Sequence, residues 1–156
     1  MNDQKAVMAL LAKAKGLARQ YYVLTGKPLG VTGEVAEYEA ARLLGVKLTP
    51  ARQAGYDAVE LCDGHERRLQ LKGRCLQEHS KPGQRLGQIQ VKRKWDAVLM
   101  VLLDHRFEAT KIYEAKRRAV LAALKKPGSK ARNDRGALTV SKFIAIGTLR
   151  WERRAA

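Results

Sequence analysis

Cysteines, aromatic side chains, acids and long apolar runs are all scarce in this sequence. Two cysteines, Cys62 and Cys75, are too few for a disulfide framework and lack zinc-ligand spacing, so a reduced, cytoplasmic setting is expected. The longest apolar run, Ala97 to Leu103, falls far short of the roughly 20 residues that cross a bilayer, and no membrane partner is expected. Met1-Asn2-Asp3-Gln4-Lys5 lacks the cationic start, apolar stretch and small-residue cleavage site of a signal peptide, and none is read. Aromatic residues make up 6% of the chain, which excludes a stacking platform of the single-strand-binding kind even though Trp95, Trp151 and Tyr113 stand near basic residues. No Gly-rich loop of the Walker type occurs, which argues against an ATP-driven motor.

What is present is positive charge. The 31 Lys+Arg outnumber 15 Asp+Glu, for a formal net charge of +16 over 156 residues. Hydrophobic residues make up 46%, enough for a core, so the chain is not a disordered basic tail. The length fits one domain over 1–156, with an N-terminal helix and loop in 1–30, a core in 31–126, and a basic loop, short helix and tail in 127–156. A folded domain of this charge meets a polyanion, and nucleic acid is the commonest.

Helical periodicity predicts a first helix over Lys5 to Tyr22, with Val7, Leu10, Leu11, Ala14, Leu17, Ala18 and Tyr21 on its stripe. A second is predicted from Thr32 as N-cap to a stop at Gly45, with Glu34 in its first turn. The period then changes to two. Tyr56 to Leu61 and Arg68 to Lys72 alternate across Cys62-Asp63-Gly64-His65, and Asp-Gly is a hairpin signal. Further strands are predicted at Gln88 to Val91, at Ala97 to Leu103 (buried on both faces) and at Thr110 to Tyr113. Helices are predicted at about Ala115 to Leu124 and Val140 to Ile146, followed by a tail with Leu149 and Trp151. Helices that precede a hairpin-led mixed sheet make the class α/β or α+β.

The segment that carries chemistry is Gly55-Tyr56-Asp57, the turn, then Leu69-Gln70-Leu71-Lys72-Gly73-Arg74. Gln70 and Lys72 are two apart and leave one face of a strand. Asp57 supplies a hard anionic oxygen for a divalent ion, and the Gln70 amide oxygen can be a neutral second ligand. Lys72 can orient a water or stabilise charge growing on a phosphate. Glu34 and Glu37, three apart on one helix face, are the candidates for a further acid.

This order of residues resembles the PD-(D/E)XK nuclease superfamily, the restriction-endonuclease-like fold. Gln70 stands where most members carry Asp or Glu, and the Gln-x-Lys version is similar to the Mrr-type restriction endonuclease branch, with Gly55, Asp57, Gln70, Lys72 and Arg74 in matching positions. Glu-Tyr-Glu-Ala-Ala-Arg-Leu-Leu-Gly resembles that branch's helix. Alignment on Leu43-Leu44 selects Glu37 and alignment on Gly45 selects Glu34. The likeness covers Gly33 to Arg74, and more weakly the chain to Leu103. It implies a central mixed sheet led by a hairpin and flanked by helices, and a DNA endonuclease that hydrolyses phosphodiester bonds. Its Mg²⁺, or Mn²⁺ as substitute, would be held by Asp57, Gln70 and the backbone carbonyl of Leu71. Lys72 would position the water, and Glu34 or Glu37 would support the metal or the lysine. Double-strand cutting by one small domain asks for two active sites, which a homodimer would supply; the sequence leaves the oligomeric state open.

Simpler uses exist for each residue. Asp57 can form a turn, Gln70 and Lys72 can be a solvated face, and Glu37 or Glu39 can pair with Arg42. Asp104 at a strand end suits a turn, Cys62 and Cys75 suit small buried positions, and His65, His79 and His105 fall in polar loops. The basic residues Arg74, Lys81, Arg85, Lys92, Arg93, Lys94, Lys130, Arg132 and Arg135 are candidate phosphate contacts on duplex DNA. A catalytically silent nucleic-acid-binding module on the same fold and a non-enzymatic basic adaptor are the alternatives to an enzyme.

Overall fold

The computed structural model describes residues 3–26, 29–50, 54–77, 79–127 and 135–155. Its elements are α1 (Gln4–Thr25), α2 (Thr32–Leu44), β1 (Lys47–Leu48), β2 (Ala58–Cys62), β3 (His65–Cys75), β4 (Ala97–Leu103), β5 (Ala109–Lys116), α3 (Arg117–Lys125), α4 (Val140–Ile146) and β6 (Thr148–Glu152). The strands make a six-stranded sheet in the order β1-β2-β3-β4-β5-β6. Only β3 and β4 are parallel; the other neighbours run antiparallel. The fold is mixed α/β, as the sequence predicts.

The β2–β3 turn follows its chemistry. Cys62 pairs with His65, and Asp63 and Gly64 both take positive φ, 51° and 78°, the twist that matches a two-residue hairpin. β4 is buried at every position, as expected of an all-apolar strand between two layers. One apolar cluster on the α1/α2 side gathers Ala18, Val35, Ala36, Leu69, Leu71, Leu99 and Ile112. The other, on the α3/α4 side, gathers Trp95, Val98, Met100, Val120, Leu138 and Phe143. The parallel β3–β4 step forces a long connection, and that connection lends Leu86, Ile89 and Trp95 to the second cluster.

Five sequence expectations are corrected. Gln88 to Val91 is not a strand: Gln90 gives its N–H and carbonyl to the Gln70 amide rather than to a neighbouring strand. The N-cap of α2 is Val31, with no side-chain cap hydrogen bond, and Thr32 is already helical. Ala115 lies within β5 rather than opening α3, since the strand runs on to the extended Lys116 and the helix begins at Arg117. The α1 stripe divides: Ala18 is fully buried and Leu11 packs on the core, whereas Leu10 and Leu17 stay 64% and 62% exposed. Cys62 is exposed rather than buried, because it sits at the hairpin tip. The tail containing Leu149 and Trp151, unassigned from sequence, is β6, and the two-residue β1 was also missed.

Candidate active site at the open edge of β3

The β2–β3 pairing stops at Ala58 and Leu69, yet β3 continues to Cys75. Asp57 sits where the ladder ends. Its N–H donates to the Leu69 carbonyl at 2.8 Å, and its Oδ2 accepts the Leu71 N–H at 2.7 Å, so the side chain substitutes for the strand that is no longer there. Thr49 holds the other side, its N–H and hydroxyl both donating to the Asp57 carbonyl at 2.9 and 3.0 Å. In a strand, one residue's N–H and C=O point to the same edge. The Leu71 carbonyl therefore faces the side that Asp57 occupies.

α2 brings the acids. A Cβ on Gly73 would lie 2.5 Å from the Ala36 Cβ and 2.9 Å from the Thr32 carbonyl oxygen. Only glycine lets the helix approach β3 this closely, and Glu37 is the next residue after Ala36. Glu37 is half-buried, and its carboxyl is pushed up to about 7 by burial, then by the charges of Asp57 and Glu34, with Lys72 pulling the other way. Lys72 is held below the usual lysine range by burial, against the pull of Asp57 and Glu37. Asp57, Glu37 and Lys72 thus share one electrostatic field. Glu34 is exposed and acts on it through Glu37, which separates the two glutamates that the sequence left equivalent.

Gln70 is elsewhere. It is 2% exposed; its Oε1 accepts the Gln90 N–H at 3.1 Å and its Nε2 donates to the Gln90 carbonyl at 3.3 Å. Its amide oxygen thereby accepts one main-chain N–H. The Leu71 side chain lies in the α1/α2-side core.

The donor set can be tested against a hard divalent ion. Asp57 Oδ1 makes no hydrogen bond among the described residues, the Leu71 carbonyl shares its edge, and the Glu37 anion is destabilised by burial and then by its neighbours, which a cation would relieve. These are oxygen donors suited to Mg²⁺, so the residues fit. Among the described residues no group of three or more His, Cys, Asp or Glu is arranged to hold a metal, so backbone oxygen and water would complete the shell.

The basic candidates divide. Lys92, Arg93 and Lys94 are exposed on one turn next to the site, where Arg93 Cβ would lie 2.7 Å from a Cβ on Gly55, two residues before Asp57. Arg74 hydrogen-bonds the Gln84 side chain and, with His79 and Lys81, lines a cleft of about 610 Å³ that also includes Thr32 and Gly73. Arg85 donates to the Ala137 carbonyl at 2.9 Å. Arg135 is exposed, and Lys130 and Arg132 lie outside the described residues.

Several plainer readings hold. Glu39 pairs with Arg42 at 2.9 Å, Asp104 accepts the N–H groups of Arg106 and Glu108, and the three histidines are exposed. Sequence reasoning missed Thr49, whose only signal is its place shortly before the motif, and Arg117, which stands in the basic run Lys116-Arg117-Arg118 with nothing to mark it out. It also missed a ring of charges at the other end of the sheet. There Arg67 meets Glu60 and Glu114, each at 2.9 Å, and Arg150 meets Glu60 at 2.7 Å and Glu114 as well. The Glu60–Arg67 pair was readable across the hairpin, but Glu114 and Arg150 meet only through the unassigned β6. No helix among the described residues is long and apolar enough to cross a membrane. No protein-family model matches the sequence, and no curated protein matches it.

Proposed function

We propose that this chain is a metal-dependent DNA endonuclease, hydrolysing phosphodiester bonds at the open edge of β3 on the restriction-endonuclease-like plan that its motif resembles. The observation that carries the reading is the convergence of Asp57, Glu37 and Lys72 on one electrostatic field, with the Glu37 carboxyl pushed up to about 7. Asp57, Glu37 and the Leu71 carbonyl would hold Mg²⁺, or Mn²⁺ in its place. When bound, the ion would supply Lewis-acid polarisation of the scissile phosphate and acidify a coordinated water. Lys72, desolvated and flanked by two carboxylates, orients the attacking water and stabilises the charge that grows on the phosphate. Plasmid DNA incubated with Mg²⁺ or Mn²⁺ should be nicked or linearised, and Lys72→Ala should lower that rate about 10²-fold or more. Equal rates for both proteins would overturn the assignment.

One observation favours a second reading, a catalytically silent duplex-binding module. Gln70 is turned to Gln90, and among the described residues no group of three or more His, Cys, Asp or Glu gathers at the site. The same experiment separates the two, since the module binds plasmid and leaves it intact with either metal. Both readings use the +16 charge on phosphates. Affinity for duplex DNA should accordingly fall by about 10²-fold or more between 50 and 200 mM salt, as displaced counterions require. A titration that barely changes across that range would exclude a phosphate-tracking surface.

A further inference from the structure

We propose that Gln70 is a positioning residue for nucleic acid: its amide locks the Lys92-Arg93-Lys94 turn beside the open edge of β3 as a preformed wall for the phosphates of duplex DNA. The inference rests on the nucleic-acid part of the reading above and not on its chemistry.

The turn is held from inside by an unusual concentration of bonds. The Gln90 carbonyl accepts Gln70 Nε2 at 3.3 Å, Trp95 Nε1 at 2.8 Å and the Arg93 N–H at 3.0 Å, while the Gln90 N–H goes to Gln70 Oε1 at 3.1 Å. Arg117 grips the far side. Its Nη2 donates to the Val91 carbonyl at 2.8 Å, its Nη1 to the carbonyls of Arg93 at 2.9 Å and Trp95 at 3.3 Å, and its guanidinium lies 4.4 Å over the Trp95 ring. The main-chain carbonyls of 90, 91, 93 and 95 are therefore turned to the protein, and the three cationic side chains between 91 and 95 are exposed.

Holding three like charges on one short turn is electrostatically unfavourable, and bracing it with a fourth cation, Arg117, makes it more so. The bonds and the buried Trp95 account for the ordered main chain but give no reason for three exposed cations in a row. An anionic partner does, because a turn ordered in advance loses less freedom when it binds. Its location selects the partner's phosphates. Gly55, at φ +95°, packs against Arg93, so the turn is fixed to the segment that ends in Asp57. A strand lying along the open edge of β3 would meet the turn as it meets the site. Gln70 serves this role better than an acid would, because a carboxylate here could accept the Gln90 N–H but would repel the Gln90 carbonyl.

The test measures binding of the full chain to a labelled duplex by fluorescence anisotropy in EDTA, where no metal-dependent step operates. The reference variant replaces Lys92, Arg93 and Lys94 together by alanine and should bind about tenfold more weakly with a shallower salt dependence. Gln70→Met and Arg117→Lys leave the net charge unchanged. Each should weaken binding three- to tenfold, at a thermal midpoint showing that the protein is folded, and should add nothing further in the triple-alanine background. If Gln70→Met folds poorly, Arg117→Lys reads the same lock from the opposite side. Gln70→Met that binds like wild type in EDTA but needs more Mg²⁺ for cleavage would make Gln70 a metal ligand and overturn the proposal. Losses that add fully to those of the triple-alanine variant would overturn it too. A wild type that binds duplex but never cleaves would defeat the endonuclease reading alone, and the EDTA comparison would still stand or fall on its own.

Discussion

Asp57→Asn is expected to lower Mg²⁺-dependent cleavage of plasmid DNA by about 10²- to 10³-fold while leaving metal-free duplex binding intact or slightly tighter. Asparagine is the informative replacement. Its amide oxygen can still accept the Leu71 N–H that Asp57 Oδ2 takes at 2.7 Å, so the end of the β2–β3 ladder keeps its shape and only the charge is lost. Alanine removes both. Asp57→Ala leaves the Leu71 N–H without its partner and should cost about 1–3 kcal/mol of stability beyond the asparagine variant, read as a lower denaturation midpoint. The split between the two variants separates chemistry from architecture. Binding is spared because affinity comes from scattered cations, and removing an anion that faces phosphate reduces repulsion. Full cleavage by Asp57→Asn at the wild-type metal requirement would remove Asp57 from the site. Loss of duplex binding by a folded Asp57→Asn protein would make its charge structural.

The elements that local chemistry dictates were readable from the residues. The Asp63-Gly64 turn fixes a two-residue hairpin, the unbroken apolar run fixes β4 as the sheet's buried centre, and Gly45 ends α2 at φ 72°. Gly55, Asp57 and Lys72 could be singled out because their spacing on a hairpin limits what they can meet. What could not be read depends on distant pairing. β6 forms because Ile112 and Trp151 pair, which no local period announces. The choice between Glu34 and Glu37 turns on where α2 touches β3, and that is decided by Gly73 against Ala36, thirty-seven residues apart in the chain by their numbers. Gln70 is the sharpest case. Periodicity puts it on the face of Lys72, but its partner is the Gln90 main chain, in a stretch whose alternating Gln-Ile-Gln-Val pattern reads as a strand.

Glu37→Gln is expected to stabilise the protein at pH 8 and to change it little at pH 4.5. The folded carboxyl titrates at about 7, above its ordinary 4.5, because burial and then the charges of Asp57 and Glu34 oppose ionisation. The folded state therefore holds more protons than the unfolded chain between those values. Stability from this group is fully present below about 4.5, declines as pH rises, and is lost once pH passes 7. Glutamine mimics the protonated form at every pH, so taking the difference between variant and wild type cancels the other titrating groups. Discounted for the solvent-facing half of the side chain, the gain at pH 8 should be about 1 kcal/mol, or about 2–4 °C in thermal midpoint. Mg²⁺ should reverse the order. A cation beside Glu37 needs the ionised carboxylate, so its stabilisation of the wild type should grow from pH 5.5 to pH 8 with release of a proton, and cleavage should rise through pH 7 in parallel. In Glu37→Gln the same Mg²⁺ should stabilise less and with little pH dependence. A variant no more stable than wild type at pH 8 would mean that Glu37 is not held against ionisation. Equal Mg²⁺ stabilisation of both proteins at both pH values would take Glu37 out of the ligand set and leave Asp57 with the Leu71 carbonyl alone.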